Sequence, residues 1–372
     1  MVKKRKPILS RVKRPAQINF LSYVADSQGC GTIRVMYPFL LLPHSSNKDT
    51  QFSTQFQSQY ISSPNHYKGY TFAQFQRSAT KEHLSLFLHF KKEVQSKFKV
   101  PLIYEIDDML INIPDFNYAS LYYKQNEDNV KRMLGMANGV ITSTEKLKEV
   151  YSEYNQKIEV IPNHLPKFVW GDIFPVHEYK NEKEKIKILW AGSMNHFPLP
   201  EMRKAGIEGG DFGGKLIEFI KKTVDKYDWI FVGANPPELK SEIKSHKIKF
   251  VKWANIFQYP STVKKLEPDI CIAPLFPDEF NECKSNIKCL EYSALGSPGV
   301  YTDIRPYKDM TLLANIDEEM ISHIEKLAGD INYRAEIWEK DYNKVEPNLF
   351  WEENGNLKKY VNSYLKLFGK RL

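Results

Sequence analysis

Cysteine is scarce and unpaired in this chain. Cys30, Cys271, Cys283 and Cys289 form no Cys-x-x-Cys element, which speaks against a zinc ribbon or a disulfide framework. Cys271 lies inside an apolar run, where a thiol behaves as a small hydrophobe. No uninterrupted apolar stretch approaches the length of a membrane span, so no transmembrane segment is expected. The start Met-Val-Lys-Lys-Arg-Lys-Pro has the basic beginning of a signal peptide and lacks the apolar region that should follow. A cytoplasmic location is the expectation. Repeats and low-complexity segments are also missing, which excludes a solenoid.

What is present describes a soluble globular protein: 372 residues, 42% hydrophobic and 26% charged, with a net charge of +8. The length exceeds one ordinary core and predicts two units. Lys3, Lys4, Arg5, Lys6, Arg11, Lys13 and Arg14 form a basic tail, which either attracts nucleic acid or an anionic surface or is simply solvated. Strand-like apolar runs alternate with amphipathic segments, the pattern of an α/β chain with parallel sheets. Strands are expected at 18–24, 70–75, 101–106, 139–142 and 157–161, with helices from about 32 and over 80–98, 118–136 and 144–153. Two prolines and a polar stretch interrupt the pattern over 162–185. A second alternation follows, with strands at 186–191, 229–233, 248–252, 269–273 and 299–302 and a final helix over about 355–369. The organisation is thus a tail (1–17), a first unit (18–165), a linker (166–185), a second unit (186–350) and a C-terminal helix (351–372).

Chemistry concentrates where strands end, because ligands of parallel sheets sit beyond the carboxyl ends of the strands. The run Asp269–Leu275 reads as a buried strand, and a helix begins near Ser285, its possible N-cap, ending at Gly296 and Pro298. Lys284, Lys288 and Glu291 then fall near one face. Helix amides and lysines suit a diphosphate, and a carboxylate one turn on suits ribose hydroxyls; a solvated Lys-Glu surface pair is the plain alternative. Gly29 and Gly31, with Arg34 behind them, let the chain approach a ligand or merely make a tight turn. Asp107 and Asp108 follow an apolar run, where they would hold an acceptor hydroxyl or cap a loop. Gly192, Ser193 and His196 close the strand at 186–191 in a turn that permits close approach of a diphosphate; a lone surface histidine is the plain reading. Gly209–Gly214, Gly-Gly-Asp-Phe-Gly-Gly, is either an acceptor or lid loop or a disordered surface loop.

The string Lys-Ser-x-x-Lys-x-x-Glu-Tyr-x-Ala-Leu-Gly from Lys284, followed by Pro-Gly-Val and Pro-Tyr, resembles the donor-binding segment of GT-B glycosyltransferases of the family 4 type. Tyr104–Asp108, Ser143-Thr144-Glu145 and Ile161-Pro162-Asn163 occur in the order found in a subgroup of these enzymes, so the resemblance spans most of the chain. It implies two Rossmann-like domains facing each other across a cleft, with the last helix packing back on the first. It further implies a nucleoside-diphosphate sugar, of UDP type, as donor, no required cofactor and no metal. A retaining transfer with front-face attack is implied as well. In the resembling enzymes the turn at His196 borders the donor, and the glycine loop at Gly29 and Gly31 approaches the transferred sugar and phosphate.

Two departures stand out. Relatives place an Arg and a Lys after the first strand of the second domain, which here leaves the charge to Lys284 and Lys288, with Arg203 and Lys204 as weaker options. Relatives also carry two glutamates eight positions apart, whereas eight before Glu291 is Cys283, with Glu282 one residue off and Glu279 nearby. The segment Ile161–Gly171 and the turn Ser27–Gly31 look like those of glycosyltransferases of T4-like bacteriophages, which act on hydroxymethylated bases in DNA. The net charge fits such a polyanionic acceptor. A cell-surface glycan transferase and a noncatalytic nucleotide-sugar or nucleic-acid binding protein remain the alternatives.

Overall fold

The computed structural model describes residues 15–175, 185–207 and 209–369. The basic cluster from Lys3 to Arg14 and the 176–184 part of the linker lie outside the described residues. Twelve strands among them build two sheets. The first contains β1 (Ala16–Tyr23), β2 (Thr50–Gln57), β3 (Phe72–Gln76), β4 (Leu102–Ile106), β5 (Gly139–Thr142) and β6 (Ile158–Val160), in the order β2-β1-β3-β4-β5-β6. The second contains β7 (Lys187–Gly192), β8 (Asp228–Gly233), β9 (Lys249–Lys252), β10 (Ile270–Ala273), β11 (Gly299–Thr302) and β12 (Leu313–Ala314), in the order β12-β11-β10-β7-β8-β9. All neighbours are parallel. Helices cover both faces, so β3, β4, β5, β10 and β11 are buried at every residue; β5, β10 and β11 read as largely apolar runs for that reason, while β3 and β4 also bury Gln74, Gln76 and Glu105.

Two strands, β2 and β12, fall where the sequence leads to no strand. β2, Thr-Gln-Phe-Ser-Thr-Gln-Phe-Gln, pairs only with β1 at the sheet edge and alternates half-buried with exposed residues over most of its length. β12 is two residues long. Helical structure expected from about 32 begins at Gly29. The helix expected from Ser285 spans Ile287–Leu295, with Asn286 rather than Ser285 at its N-cap and no side-chain capping bond. Ser285 is used elsewhere: its hydroxyl accepts from Asn163 Nδ2 at 2.8 Å.

The two units are joined in two places. The chain crosses between them twice, and the crossings are bonded to each other, Leu165 N to Leu349 O at 2.8 Å and Trp351 N to Leu165 O at 3.0 Å. His164 donates from Nδ1 to Asn348 O at 2.6 Å; burial draws its pKa down to about 4, so it serves here as a neutral donor. After the second crossing, helix Asn356–Lys366 lies on the first sheet. It buries Tyr360, Val361, Tyr364 and Leu365 among Phe20, Phe39, Phe72 and Ile103, with the Tyr364 hydroxyl donating to Gln74 Oε1. The other join runs along the cleft. Phe280 and Cys283 of the second unit pack into the core of the first, Thr144 Oγ1 donates to Cys283 O at 3.0 Å, and Lys146 meets Glu279 at 3.0 Å.

Candidate active site

Each sheet has one position where strand order reverses, beside β1 in the first and beside β7 in the second. Loops diverge there and leave a crevice at the carboxyl ends. A cavity of about 300 Å3 opens between the two sheets and is walled by residues from both crevices. From the first unit come Gly29 and Cys30 after β1, Arg77 after β3, and Asp107 and Asp108 after β4. From the second come Ser193, Asn195 and His196 after β7, and Lys284, Ser285 and Lys288 after β10.

His196 has a partner that sequence reading did not assign. Its Nδ1 donates to Asp211 Oδ2 at 2.6 Å. Asp211 is 5% exposed, and its Oδ1 accepts from Phe276 N and Asn281 Nδ2, both at 2.8 Å. Burial would raise this carboxyl, but the nearby Lys284 charge, with Nζ at 3.9 Å, and the His196 bond hold it below the usual range. Burial pulls His196 the other way, below its ordinary 6.5, helped by Lys284 and opposed by Asp211. The result is a neutral imidazole beside an ionised aspartate, with Nδ1–H committed and Nε2 left as an acceptor. The Gly-Gly-Asp loop makes the contact possible. Gly210 has φ of +120°, and a Cβ there would lie 3.1 Å from His196 O, while Asp211 N donates to that same carbonyl at 3.0 Å. The loop read from sequence as lid or surface thus carries the histidine's orienting group; an acid between glycines close after the His196 turn was the available signal.

The facing wall is a charge cluster. Arg77, with φ of +45°, a conformation uncommon outside glycine, lies 3.4 Å from Asp107 and 3.7 Å from Asp108. It also donates from Nη1 to Cys30 Sγ at 2.7 Å. Burial pushes Asp108 up against the pull of Arg77, and burial pushes the Cys30 thiol well up, which keeps it protonated. Lys288 bonds Glu291 Oε2 at 2.7 Å, and the same oxygen accepts from the Tyr259 hydroxyl at 3.2 Å. Among the described residues no group of three or more His, Cys, Asp or Glu side chains is arranged to hold a metal ion.

The remaining sequence candidates stand back from the cavity wall. Gly31 faces the backbone of its own loop; a Cβ there would fall 1.8 Å from Asp26 O. Gly192 lies behind His196, against Trp190. Glu282 accepts from Arg305 N at 3.3 Å on the far side of the cleft. Glu291 is 7% exposed, its Oε2 engaged by Tyr259 and Lys288. Arg34 is displaced furthest from its expected role. It is 3% exposed and pairs with Glu105 at 2.8 Å, donating also to Ile161 O at 2.5 Å and Asn163 Oδ1 at 2.9 Å. Protein acceptors occupy its guanidinium, so it does not face the cavity.

No family model and no curated protein sequence matches this chain. The chain is similar in structure to an alpha-glucosyltransferase solved with UDP and a 13-mer DNA containing a central A:G mismatch. That similarity has a TM-score of 0.56 at 9% identity, covering 93% of this chain and 99% of that one. The fold is GT-B. A UDP-N-acetylglucosamine 2-epimerase from Rickettsia bellii aligns at a TM-score of 0.45 with 10% identity over 95% of this chain and 97% of that one. The wall teichoic acid polymerase TagF aligns at 0.43 with 11% identity over 95% and 89%. With the GT-B fold established, the cavity is the cleft between its two carboxyl-end faces. No helix among the described residues is long and apolar enough to cross a membrane.

Proposed function

We propose that this protein is a glycosyltransferase that moves a sugar from a UDP-sugar to a hydroxyl carried on a base in DNA. The observation that carries the reading is the two-sided cleft, with Lys284, Lys288 and the His196–Asp211 pair on one wall and Asp107, Asp108 and Arg77 on the other. On this reading Lys284 and Lys288 neutralise the diphosphate as the sugar–phosphate bond breaks, the task that positioned cations perform in group transfer. The neutral His196 presents Nε2 as an acceptor to a sugar hydroxyl, held in orientation by Asp211. Ser193 and Gly29 let the donor approach backbone on both sides. Asp107 and Asp108, pinned by Arg77, orient the acceptor hydroxyl.

A neighbouring cavity of about 610 Å3 supports an acceptor with a planar ring. It shares Cys30, Arg77, Tyr123 and Asn195 with the cleft and is walled by Tyr60, Tyr118 and Tyr122. Aromatic faces stack on bases of any sequence. His83, whose Nδ1 accepts from Ala79 N and Thr80 N, has only Nε2–H left to offer that space. The similarity to a glucosyltransferase solved with UDP and DNA points in the same direction, as does the net charge of +8.

The test is transfer of label from a panel of radiolabelled nucleotide sugars to hydroxymethylated DNA, with unmodified DNA as control. Label in hydroxymethylated DNA alone is the expected result. Donor hydrolysis without labelled DNA would refute the DNA acceptor and redirect the search to glycans, and failure to bind or consume any nucleotide sugar would refute the transferase.

A further inference from the structure

Arg34 has no role in the proposed reaction and is buried among protein acceptors, while Asn163 beside it reaches the cavity wall. Arg34 is held by Glu105 of β4 at 2.8 Å, by Thr142 O of β5 at 3.4 Å, and by Ile161 O just after β6 at 2.5 Å. Its remaining bond goes to Asn163 Oδ1 at 2.9 Å. A guanidinium only donates, so the oxygen of the Asn163 amide must face Arg34 and the NH2 must face away. That NH2 donates to Ser285 Oγ at 2.8 Å, across the cleft. Asn163 is 8% exposed, and the bond is therefore formed with little competition from water.

Ser285 sits between Lys284 and the helix that carries Lys288. Nothing caps this helix from its own chain, since Asn286 makes no side-chain bond to it. The loop before it leans on the first unit, with Phe280 and Cys283 in that unit's core and Cys283 O bonded by Thr144. The lysine-bearing segment of the second unit thus takes its position from the first.

We infer that Asn163, oriented by Arg34, is a positioning residue that sets the Lys284–Lys288 segment for the donor diphosphate. The inference rests on the proposed donor site, and it makes closure of the two units and assembly of that site one event. A buried amide-to-hydroxyl bond ties the segment to the first unit, while the Asn286 side chain makes no capping bond to its helix. The donor site is then competent only when both sheets are in register, and donor affinity depends on the bond between the units as well as on the groups that contact the donor.

The experiment compares the wild type with Asn163→Ala, Ser285→Ala and the double variant, all as full chains. Ser285→Ala removes the same bond from the other side and leaves Arg34 paired; because Ser285 also lines the cavity, its exchange without ligand decides the matter should Asn163→Ala fold poorly. By calorimetric titration with UDP, each single variant is expected to bind about fivefold more weakly, the ratio corresponding to about 1 kcal/mol for one hydrogen bond. The double variant should bind no more weakly than either single, because both remove one interaction. Losses that multiply, or unchanged affinity in both singles, would overturn the inference. Hydrogen exchange without ligand gives a second reading. Amides 281–288 should exchange faster in both singles with β7 and β10 unchanged, and unaltered rates in 281–288 would overturn it. If the wild type binds no UDP, the proposed function fails, while exchange still decides whether Asn163 orders this segment.

Discussion

His196 and Asp211 show how burial and one charge fix a protonation state. Lys284 and desolvation favour neutral imidazole, so any activity that needs Nε2 as an acceptor should persist on acidification and fail only below pH 6.5, the ordinary histidine value. Asp211→Asn removes the influence that raises the histidine. It is expected to lower kcat about tenfold or more, the order of one lost hydrogen bond to a charged group, and to move the acid limb of the rate profile further down. A pH–rate series on both proteins checks this. Lys288→Ala should raise KM for the sugar nucleotide about tenfold or more, as expected for a charged hydrogen bond, with steady-state kinetics as the readout. Glu105 offers a stability test. Burial pushes it up to about 7 despite Arg34, above the unfolded value of about 4.3. The folded state holds that proton more tightly, so the contribution is full below the unfolded value and is lost as pH rises through about 7. Thermal melts should show Glu105→Gln, the isostere of the protonated acid, near the wild type at pH below about 7 and without this decline.

Strands and loops differ in what they reveal. β5, β10 and β11 are sandwiched by helices, and their largely apolar runs are legible for that reason. β2 exists because β1 offers it eight backbone partners, Ala16 to Tyr23, and pairing of this kind leaves no mark in a polar sequence. The 209–214 loop read as flexible because glycine permits many conformations; in the fold that freedom is used once, to seat Asp211 under His196. Gly210→Ala should therefore act twice, costing about 1–3 kcal/mol for a strained φ and reproducing the kcat loss of Asp211→Asn. Melting and kinetics on one preparation would test this, and a stability loss with unaltered kcat would show that the loop does not set the histidine.

Across the whole molecule, helix Asn356–Lys366 covers Phe20, Phe72 and Ile103 of the first sheet although it follows the second in the chain. Truncation after Leu349 should expose this apolar face, and the protein is expected to aggregate or lose its cooperative melt. If the acceptor is DNA, the logarithm of its affinity should fall linearly with the logarithm of salt concentration, with a slope near one per neutralised phosphate; a flat titration would point to a neutral acceptor. The alternation of apolar and amphipathic segments pointed to the α/β class, and the Lys284–Glu291 string pointed to the side proposed here for the donor, because local periodicity and short spacing are properties of the chain alone. The partner of His196, the withdrawal of Arg34 into the interior and the bond from Asn163 to Ser285 join residues 15, 129 and 122 positions apart. The first two form only within a folded unit and the third only where the two units meet, since their free energy comes from burial that no isolated segment can supply.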